Sequence, residues 1–248
     1  MGSHARKQHY EWYHDNDMKP VPGTPTSYDI LAQHCGSSAA TLKSCAKIGR
    51  LQPTCKMYEN IDLYVKNSAD GKSITVQNIY KVSRKGEAEP TEPFRILLWH
   101  GTSAAAVSGI IQTGFQKGSG GLYGGGIYFA DRIAKSYGYA RTASNGNSFF
   151  ILAEISPGKV YKAHHYHSDY KSAPPGFDSV KGMGSNIPTW KQNKNYKGAI
   201  LPCGVSTANP RHTSYDMPFN EYILYDANRI IVRFIVECKF NNFRRFLY

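Results

Sequence analysis

Arg95-Ile-Leu-Leu-Trp-His-Gly-Thr102 contains an apolar run that ends in a histidine and a glycine. Four consecutive apolar residues predict a short buried strand, and this strand would present His100 at its end. Two later segments have a similar character, Gly126-Ile-Tyr-Phe-Ala-Asp131 and Asn220-Glu-Tyr-Ile-Leu-Tyr-Asp226. Each predicts a further short strand, so the three segments mark the expected centre of the fold.

Helix and strand signals alternate irregularly elsewhere, without the repeating βαβ rhythm of a parallel sheet. The sequence therefore predicts a mixed α+β fold and not a Rossmann fold. Predicted helices cover residues 54–66 with Thr54 as cap, 104–112 with Thr102 or Ser103 as cap and Gly114 as stop, and 131–141 with Asp131 as cap. Predicted strands cover residues 74–82 with a bulge near Asn78, 96–99, 127–129, 149–155, 221–225 and 229–237. Residues 163–219 predict mainly loop with one or two short strands.

The net charge is +12, from 30 Lys and Arg against 18 Asp and Glu. This balance favours polyanionic partners such as nucleic acid or a pyrophosphate-bearing molecule. Solubility alone is the alternative, because the Lys and Arg residues form no dense stripe. The charge therefore leaves both explanations open.

The cysteines form an odd set with no C-x-x-C pair, which argues against a zinc ribbon and a disulfide framework. We therefore expect reduced thiols in an intracellular compartment. No stretch of about 18 apolar residues occurs, so no membrane span is expected. The five residues are Cys35, Cys45, Cys55, Cys203 and Cys238.

Residues 1–34 are mostly polar and contain three prolines close together, Pro20, Pro22 and Pro25. They predict a flexible N-terminal segment, in which Met1-Gly2-Ser3-His4 resembles a cloning remnant. Residues 35–248 are then expected to form one domain. We expect this domain to be a monomer.

Side chains near the central segments suit a flat cationic ring that carries a carboxamide. Ser136 and Tyr139 are three residues apart on a predicted helix and share a face. The Tyr139 ring would stack on a cation, the Ser136 hydroxyl would hold the amide, and Tyr128 would supply a second wall. Core packing is the alternative for both tyrosines, since the chain has 18 of them.

His100 and Glu221 are the candidates for a reacting centre. His100 precedes Gly101, where backbone can approach a ligand closely, although a lone histidine at a strand end is usually structural. Glu221 opens an apolar strand, and burying an unpaired carboxylate is costly. A catalytic role would explain the buried carboxylate, because a fixed negative charge stabilises the oxocarbenium character that develops when a glycosidic bond breaks. The same group would accept a proton from an incoming hydroxyl.

The glycines at positions 118, 120, 121, 124, 125 and 126 allow a loop to lie against phosphates or ribose. A mobile hairpin loop is the alternative. No G-x-G-x-x-G occurs, so any NAD+ binding differs from that of the dehydrogenases. His164-His165-x-His167 lacks a carboxylate or cysteine at ligand spacing, so a solvated loop is favoured over a metal site.

The ordered set of His100, Tyr128, Ser136, Tyr139 and Glu221 resembles the catalytic domain of the poly(ADP-ribose) polymerase family. The likeness runs from about Leu42 to the C-terminus and is nearest to the DNA-damage-responsive nuclear members. It implies an ADP-ribosyltransferase fold of packed, mainly antiparallel sheets with flanking helices. Other segments close to family motifs are Tyr64-Val-Lys-Asn67, Asn78-Ile-Tyr-Lys-Val-x-Arg-x-Gly-Glu87, Ala134-Lys-Ser-x-x-Tyr139, Asp178-Ser-Val-Lys-Gly-x-Gly184 and Lys239-Phe-Asn241.

The resemblance implies that NAD+ is the substrate and that His100, Tyr128 and Glu221 form the catalytic triad. No metal is expected. His100 would hold the adenine-ribose hydroxyl, and Glu221 would bind the nicotinamide ribose and activate the acceptor. Retention of the glutamate implies competence for the elongation of poly(ADP-ribose) chains. The expected NAD+-binding set is His100, Gly101, Thr102, Tyr128, Lys135, Ser136 and Tyr139.

Three departures from the family pattern lie on the adenosine side. The loop between Phe115 and Tyr123 is shorter than in the nuclear enzymes. Gln116 stands where they have an arginine, and Ala106 where they have an asparagine. Each lost charge-assisted contact is expected to cost about 1.5–3 kcal/mol of binding unless another residue, such as Lys117, replaces it.

The resemblance also implies protein acceptors, the chain itself included, and a nuclear or cytoplasmic location. Nucleic acid or poly(ADP-ribose) is expected on the basic surface. The ending Phe243-Arg-Arg-Phe-Leu-Tyr248 predicts a packed strand end or a docking tail for an accessory protein. The residues ahead of Leu42 are too few for a helical regulatory domain, so we expect activity without DNA. Two alternatives remain: a mono-ADP-ribosyltransferase or NAD+ glycohydrolase, and a weakly active ADP-ribose- or nucleic-acid-binding module.

Overall fold

The computed structural model describes residues 25–210 and 217–241. The predicted cloning remnant at residues 1–4 and the predicted tail at residues 243–248 lie outside the described residues. The helices are α1 (Ser27–Cys35), α2 (Ala39–Cys45), α3 (Lys56–Asn67), α4 (Ala104–Thr113) and α5 (Ile133–Tyr137). The strands are β1 (Ala46–Arg50), β2 (Ile74–Arg84), β3 (Ile96–Gly101), β4 (Ile127–Ala130), β5 (Ser148–Ile155), β6 (Val160–Ala163), β7 (Ser179–Gly182), β8 (Asn186–Pro188), β9 (Lys194–Tyr196), β10 (Ala199–Leu201), β11 (Ser206–Ala208), β12 (Glu221–Leu224) and β13 (Ile230–Phe240).

Eleven of the described strands form one sheet in the order β1-β2-β13-β5-β3-β4-β12-β7-β6, with β10 beside β3 and β9 beside β10. Two of its pairings are parallel, β3 with β10 and β6 with β7, and the others are antiparallel. Strands β8 and β11 form a separate antiparallel pair. The predicted mixed fold with a mainly antiparallel sheet is confirmed.

Helices cover both faces of the central part of the sheet. Every residue of β5 is buried. Alternate residues Phe149 and Ile151 join a core cluster that includes Leu31 of α1 and Val107 of α4. Their neighbours on β5 join a second cluster with Ile61 and Tyr64 of α3 and Ile133 of α5. Because successive side chains of a strand point to opposite faces, β5 lies between two hydrophobic layers.

Helix α1 corrects the predicted extent of the flexible N-terminal segment. Residues 27–34, expected to be flexible, are helical, and Leu31 and Ala32 are buried. A reciprocal pair of bonds between Thr26 and Asp29 caps the start, and Gly36 ends the helix in the left-handed conformation at φ 64°. The ordered structure therefore begins ahead of the predicted boundary at residue 34.

Local signals predicted several other elements correctly. Helix α4 is capped by the Ser103 hydroxyl and ends at Gly114, as expected. The predicted bulge in β2 is confirmed, because Glu237 pairs with Asn78 and Cys238 with Val76, which leaves Gln77 out of the ladder.

Three local predictions were wrong. Helix α3 is capped by the Cys55 sulfur and not by Thr54. The described residues of the range 163–219 contain five short strands, β7 to β11, instead of one or two. Helix α5 is only five residues long, and Arg132, not Asp131, precedes it without a side-chain cap bond. None of the described helices has both the length and the apolar character needed to cross a bilayer.

Candidate active site

Three neighbouring strands carry the predicted triad. His100 lies near the end of β3, Tyr128 in the middle of β4 and Glu221 at the start of β12. Strands β4 and β12 are antiparallel, with Ile223 opposite Tyr128 and Glu221 opposite Ala130. Trp99 of β3 also pairs with Ala130, which brings the end of β3 next to the start of β12.

These residues border a cleft of about 530 Å³. It is bounded on one side by the strands and α5 and on the other by a glycine-rich segment. Thr102, which the sequence analysis placed in the binding set, is not among the lining residues, whereas Gln116 is. The lining residues are His100, Gly101, Gln116, Gly118, Gly120, Gly121, Leu122, Gly126, Ile127, Tyr128, Phe129, Ala130, Lys135, Ser136, Tyr139 and Glu221.

The His100 imidazole is held in one tautomer. Its Nδ1 lies 2.8 Å from the backbone oxygen of Tyr128, and a carbonyl oxygen only accepts, so Nδ1 carries the proton. Burial lowers the pKa of His100, with the Tyr128 carbonyl opposing. The ring also packs edge-on against Phe115, with centroids 5.1 Å apart. His100 is therefore neutral at physiological pH, and its Nε2 is a hydrogen-bond acceptor.

Gly101 allows α5 to pack against the end of β3. A Cβ at this position would lie 1.9 Å from the Ser136 carbonyl oxygen, so no other residue fits without movement of the backbone. The buried Ser136 hydroxyl donates to the Trp99 carbonyl at 3.2 Å. These contacts fix α5, and with it Lys135, against the strand that carries His100.

The two tyrosines predicted to flank a ring both line the cleft but differ in their surroundings. Tyr139 follows the end of α5, its amide donates to the Ser136 carbonyl, and its side chain is 60% exposed. The helical turn predicted to align Ser136 with Tyr139 is therefore a tight turn after a shorter helix. The Tyr128 hydroxyl donates to the Gly124 carbonyl at 2.7 Å and accepts from the Tyr123 amide at 2.9 Å.

Glu221 is a buried carboxylate with an incomplete set of partners. It is 3% exposed. Its Oε1 lies 3.2 Å from Nζ of Lys135, and its Oε2 is buried with no hydrogen-bond partner within the described part of the chain. Burial raises the pKa of Glu221, and Lys135 opposes the shift. An orphaned buried oxygen is costly in a folded protein and points to a ligand at this position.

A buried bond missed by the sequence analysis orients the strand that carries Glu221. The Asn220 side chain donates to the Asp131 carboxylate at 2.7 Å and accepts from the Gly184 amide at 3.0 Å. Asp131 directly follows β4, so this bond joins the end of β4 to the start of β12. The residue expected to cap a helix instead fixes the strand pairing. The sequence did contain a signal for this bond, because Asp131 directly follows one apolar strand and Asn220 directly precedes another.

The histidine-rich segment lies next to the glycine-rich wall. His167 donates its backbone amide to the Leu122 carbonyl at 2.8 Å, and its ring stacks on Tyr170 with centroids 4.7 Å apart. Among residues 25–210 and 217–241, no group of three or more His, Cys, Asp or Glu side chains is arranged to hold a metal ion.

Comparison with known proteins gives the class of this chain. A family model described as the poly(ADP-ribose) polymerase catalytic domain matches residues 55–240, which include the whole cleft. The chain belongs to this family.

Several named relatives are about 30% identical to the chain. It is 31% identical over 195 residues to the protein mono-ADP-ribosyltransferase PARP3 of Homo sapiens. The aligned region covers 73% of this chain and 37% of that protein. It is 32% identical over 203 residues to poly [ADP-ribose] polymerase 2-A of Oryza sativa subsp. japonica, in an alignment that covers 74% of this chain and 30% of that protein. It is 29% identical over 197 residues to poly [ADP-ribose] polymerase 1 of Danio rerio, in an alignment that covers 72% of this chain and 19% of that protein. The matched region thus spans less than two fifths of each of these relatives.

Proposed function

We propose that this chain transfers ADP-ribose from NAD+ to protein acceptors, itself included, with release of nicotinamide. The observation that carries the proposal is Glu221, a buried carboxylate with one oxygen near Lys135 and the other without a hydrogen-bond partner among the described residues. It lies in the wall of a cleft and not in the core. The printed names of the relatives, poly [ADP-ribose] polymerase and mono-ADP-ribosyltransferase, agree with ADP-ribosyl transfer.

The chemistry of the cleft fits NAD+. Its volume of about 530 Å³ is in the range of small-molecule sites. The rings of Tyr128 and Tyr139 suit a cationic pyridinium, and the backbone of Gly101 and the hydroxyl of Ser136 suit its carboxamide. The neutral His100 offers Nε2 as an acceptor for a ribose hydroxyl.

The reaction requires one bond to break and one to form at the ribose carbon. The nicotinamide–ribose bond breaks with its electron pair going to the ring nitrogen, so nicotinamide leaves neutral. The acceptor oxygen attacks the ribose carbon and loses its proton. Glu221 stabilises the positive charge that develops on the ribose, and its free Oε2 takes the proton.

Lys135 has a separate role in this account. An ionised carboxylate is hard to retain in a buried site, and a cation 3.2 Å away favours the ionised form. Lys135 therefore keeps Glu221 available as a base.

We further propose that transfer continues into poly(ADP-ribose) chains, because the carboxylate that activates a protein acceptor can also activate a ribose hydroxyl. The relatives carry names of both kinds, polymerase and mono-ADP-ribosyltransferase. The same proposal includes a ligand of the basic surface, either nucleic acid or poly(ADP-ribose), and an accessory protein that binds at the C-terminus. It also includes a nuclear or cytoplasmic location and a part in the DNA damage response.

The test is incubation with NAD+ labelled in its adenylate part, without DNA, with nicotinamide release and product length as readouts. Wild type is compared with Glu221→Gln and with Glu92→Gln, a control glutamate that is about half exposed and does not line the cleft. Long labelled chains that disappear only in Glu221→Gln support polymer formation. A single ADP-ribose label on the protein supports mono-transfer. Release of nicotinamide with no label on the protein supports glycohydrolase activity. Equal behaviour of wild type and Glu221→Gln contradicts the catalytic proposal and favours a binding module.

A further inference from the structure

One wall of the cleft is built from backbone without regular secondary structure. Residues 118–126, here called the glycine loop, contribute Gly118, Gly120, Gly121, Leu122 and Gly126 to the lining. The loop has only turns and bends and is closed at its base by a bond from the Gly118 amide to the Gly126 carbonyl at 3.2 Å. Glycine-rich backbone loses much conformational entropy on ordering. Contacts from elsewhere must therefore define the shape of this wall.

A tyrosine behind the loop supplies one such contact. The Tyr225 hydroxyl donates to the Tyr123 carbonyl at 2.6 Å. Tyr225 is 6% exposed, and burial raises its pKa, with Tyr128 adding to the shift. The hydroxyl therefore stays protonated and donates at any physiological pH.

The Tyr128 hydroxyl holds the same part of the loop from the cleft side. It accepts from the Tyr123 amide and donates to the Gly124 carbonyl. Burial raises its pKa to about 12. Both polar backbone atoms of Tyr123 are thus fixed by tyrosine hydroxyls, one from each side.

A neighbouring loop holds the flanking residues. The Tyr170 carbonyl accepts from the Gly125 amide at 3.0 Å, and the His167 amide donates to the Leu122 carbonyl at 2.8 Å. A Cβ on Gly124 would lie 1.7 Å from the Tyr170 oxygen. This close approach is the physical reason for glycine at position 124.

The position of Tyr225 in the chain links this wall to Glu221. Strand β12 begins at Glu221 and ends at Leu224, directly before Tyr225. One short, paired strand therefore carries the carboxylate at its start and leads directly to the loop-holding hydroxyl.

We propose that Tyr225 is a positioning residue for NAD+, which fixes the glycine loop through the Tyr123 carbonyl and so sets the shape of the cleft wall that binds the substrate. The proposal rests on the proposed function, since it assigns Tyr225 to the binding of the same NAD+. Tyr225 does not line the cleft and has no direct role in bond breaking.

Loss of this hydroxyl is expected to affect substrate binding more than chemistry. In Tyr225→Phe the ring still fills its site, while the Tyr123 carbonyl loses its donor and the loop samples more conformations. Substrate must then order the loop, and this ordering weakens binding. Glu221 and His100 keep their own contacts, so the chemical step is unchanged.

The experiment compares Tyr225→Phe with Tyr28→Phe as a matched control. Tyr28 also donates its hydroxyl to a backbone carbonyl, that of Ala46 at 3.2 Å, and accepts from the Ile48 amide, but it joins α1 to β1 and does not line the cleft. We expect Tyr225→Phe to raise the KM for NAD+ by roughly threefold to tenfold at unchanged kcat. Hydrogen exchange of the amides of residues 122–125, measured without NAD+, should accelerate several-fold. Tyr28→Phe should change neither quantity.

Three results would overturn the assignment. An unchanged KM with unchanged exchange at residues 122–125 shows that the hydroxyl does not hold the loop. A fall in kcat at constant KM assigns Tyr225 to the chemistry instead. Exchange that accelerates equally throughout the protein shows a general loss of stability. If wild type releases no nicotinamide, the proposed function fails, and the exchange measurement still decides whether Tyr225 fixes the loop.

Discussion

The two walls of the cleft are built by different means. On one side, His100, Tyr128 and Glu221 lie on paired strands, whose positions follow from hydrogen-bond ladders. On the other side, the glycine loop is held largely by individual bonds from Tyr225, Tyr128 and the loop around Tyr170. Strands hold reacting groups within fractions of an ångström, whereas a loop held by separate contacts adapts to a ligand. We infer that the strand side performs the chemistry and that the loop side sets affinity.

The largest expected effect is that of Glu221→Gln, which removes the negative charge and the base from the strand side. We expect kcat for nicotinamide release to fall roughly 100-fold to 1,000-fold or more. The measurement is initial-rate release of labelled nicotinamide at saturating NAD+, with Glu92→Gln as control.

The same variant should not be less stable than wild type. The raised pKa of Glu221 means that the fold favours its protonated form. The contribution of protonated Glu221 to the stability of the fold is present below the unfolded-state pKa and is lost as pH rises through the folded-state pKa. At neutral pH the ionised group therefore destabilises the fold, and Glu221→Gln removes this cost. A marked fall in its melting temperature would contradict this account.

The next largest effect is expected at the contact between β3 and α5. Gly101→Ala would place a Cβ 1.9 Å from the Ser136 carbonyl, so α5 must move together with Ser136 and Lys135. We expect kcat/KM to fall roughly tenfold or more and the free energy of unfolding to fall by about 1–3 kcal/mol. Nicotinamide release and chemical denaturation measure the two effects.

A matched glycine provides the control. Gly109 lies within α4, and a Cβ there meets no atom within 4 Å. Gly109→Ala should leave kcat/KM unchanged and stabilise the fold by about 0.5–1 kcal/mol. Similar losses in both variants would show that the contact with Ser136 is not the cause.

The pH dependence tests the Lys135–Glu221 pair. In the proposed reaction the ionised carboxylate is the active form, and burial raises its pKa, so kcat should rise with pH along an acid limb above the ordinary value of 4.5. Lys135→Met removes the group that lowers this pKa, so its acid limb should lie at higher pH than in wild type. The measurement is kcat for nicotinamide release from pH 5 to pH 9. Coincident limbs for the two proteins would mean that Lys135 does not act on Glu221.

The smallest effect is expected for Gln116→Ala, a lining residue two positions before the glycine loop. Gln116 lines the cleft, and loss of one neutral hydrogen bond to substrate should raise the KM for NAD+ roughly twofold to tenfold at constant kcat. Gln77→Ala, on the exposed side of β2, is the control. A fall in kcat for Gln116→Ala would contradict the assignment of affinity to this wall and of chemistry to the strands.

Several elements, including the strand that carries His100, were predictable from sequence because their signals are local. An apolar run ending at His100 predicts a buried strand, and Ser103 with Gly114 delimits α4. The bulge in β2 was also predicted near Asn78. Helix α1 carried local signals too, the Thr26–Asp29 box and Gly36, but the polar character of its surroundings favoured a flexible segment.

The remaining features depend on contacts between distant parts of the chain. Asp131 has the character of a helix cap, and only the fold brings it to Asn220, 89 residues away. The pairing of Lys135 with Glu221 and the bond from Tyr225 to Tyr123 likewise join separate segments. The glycine loop could be located from its composition, but the bonds that hold it could not.

The division between the two walls is tested most directly by titrating a non-cleavable NAD+ analogue into wild type and Glu221→Gln in a calorimeter, alongside their nicotinamide release. We expect dissociation constants within about threefold of each other, while nicotinamide release by the variant is almost abolished. Binding lost in proportion to nicotinamide release would contradict this expectation, because the main contribution of Glu221 would then be to substrate affinity and not to breaking the bond.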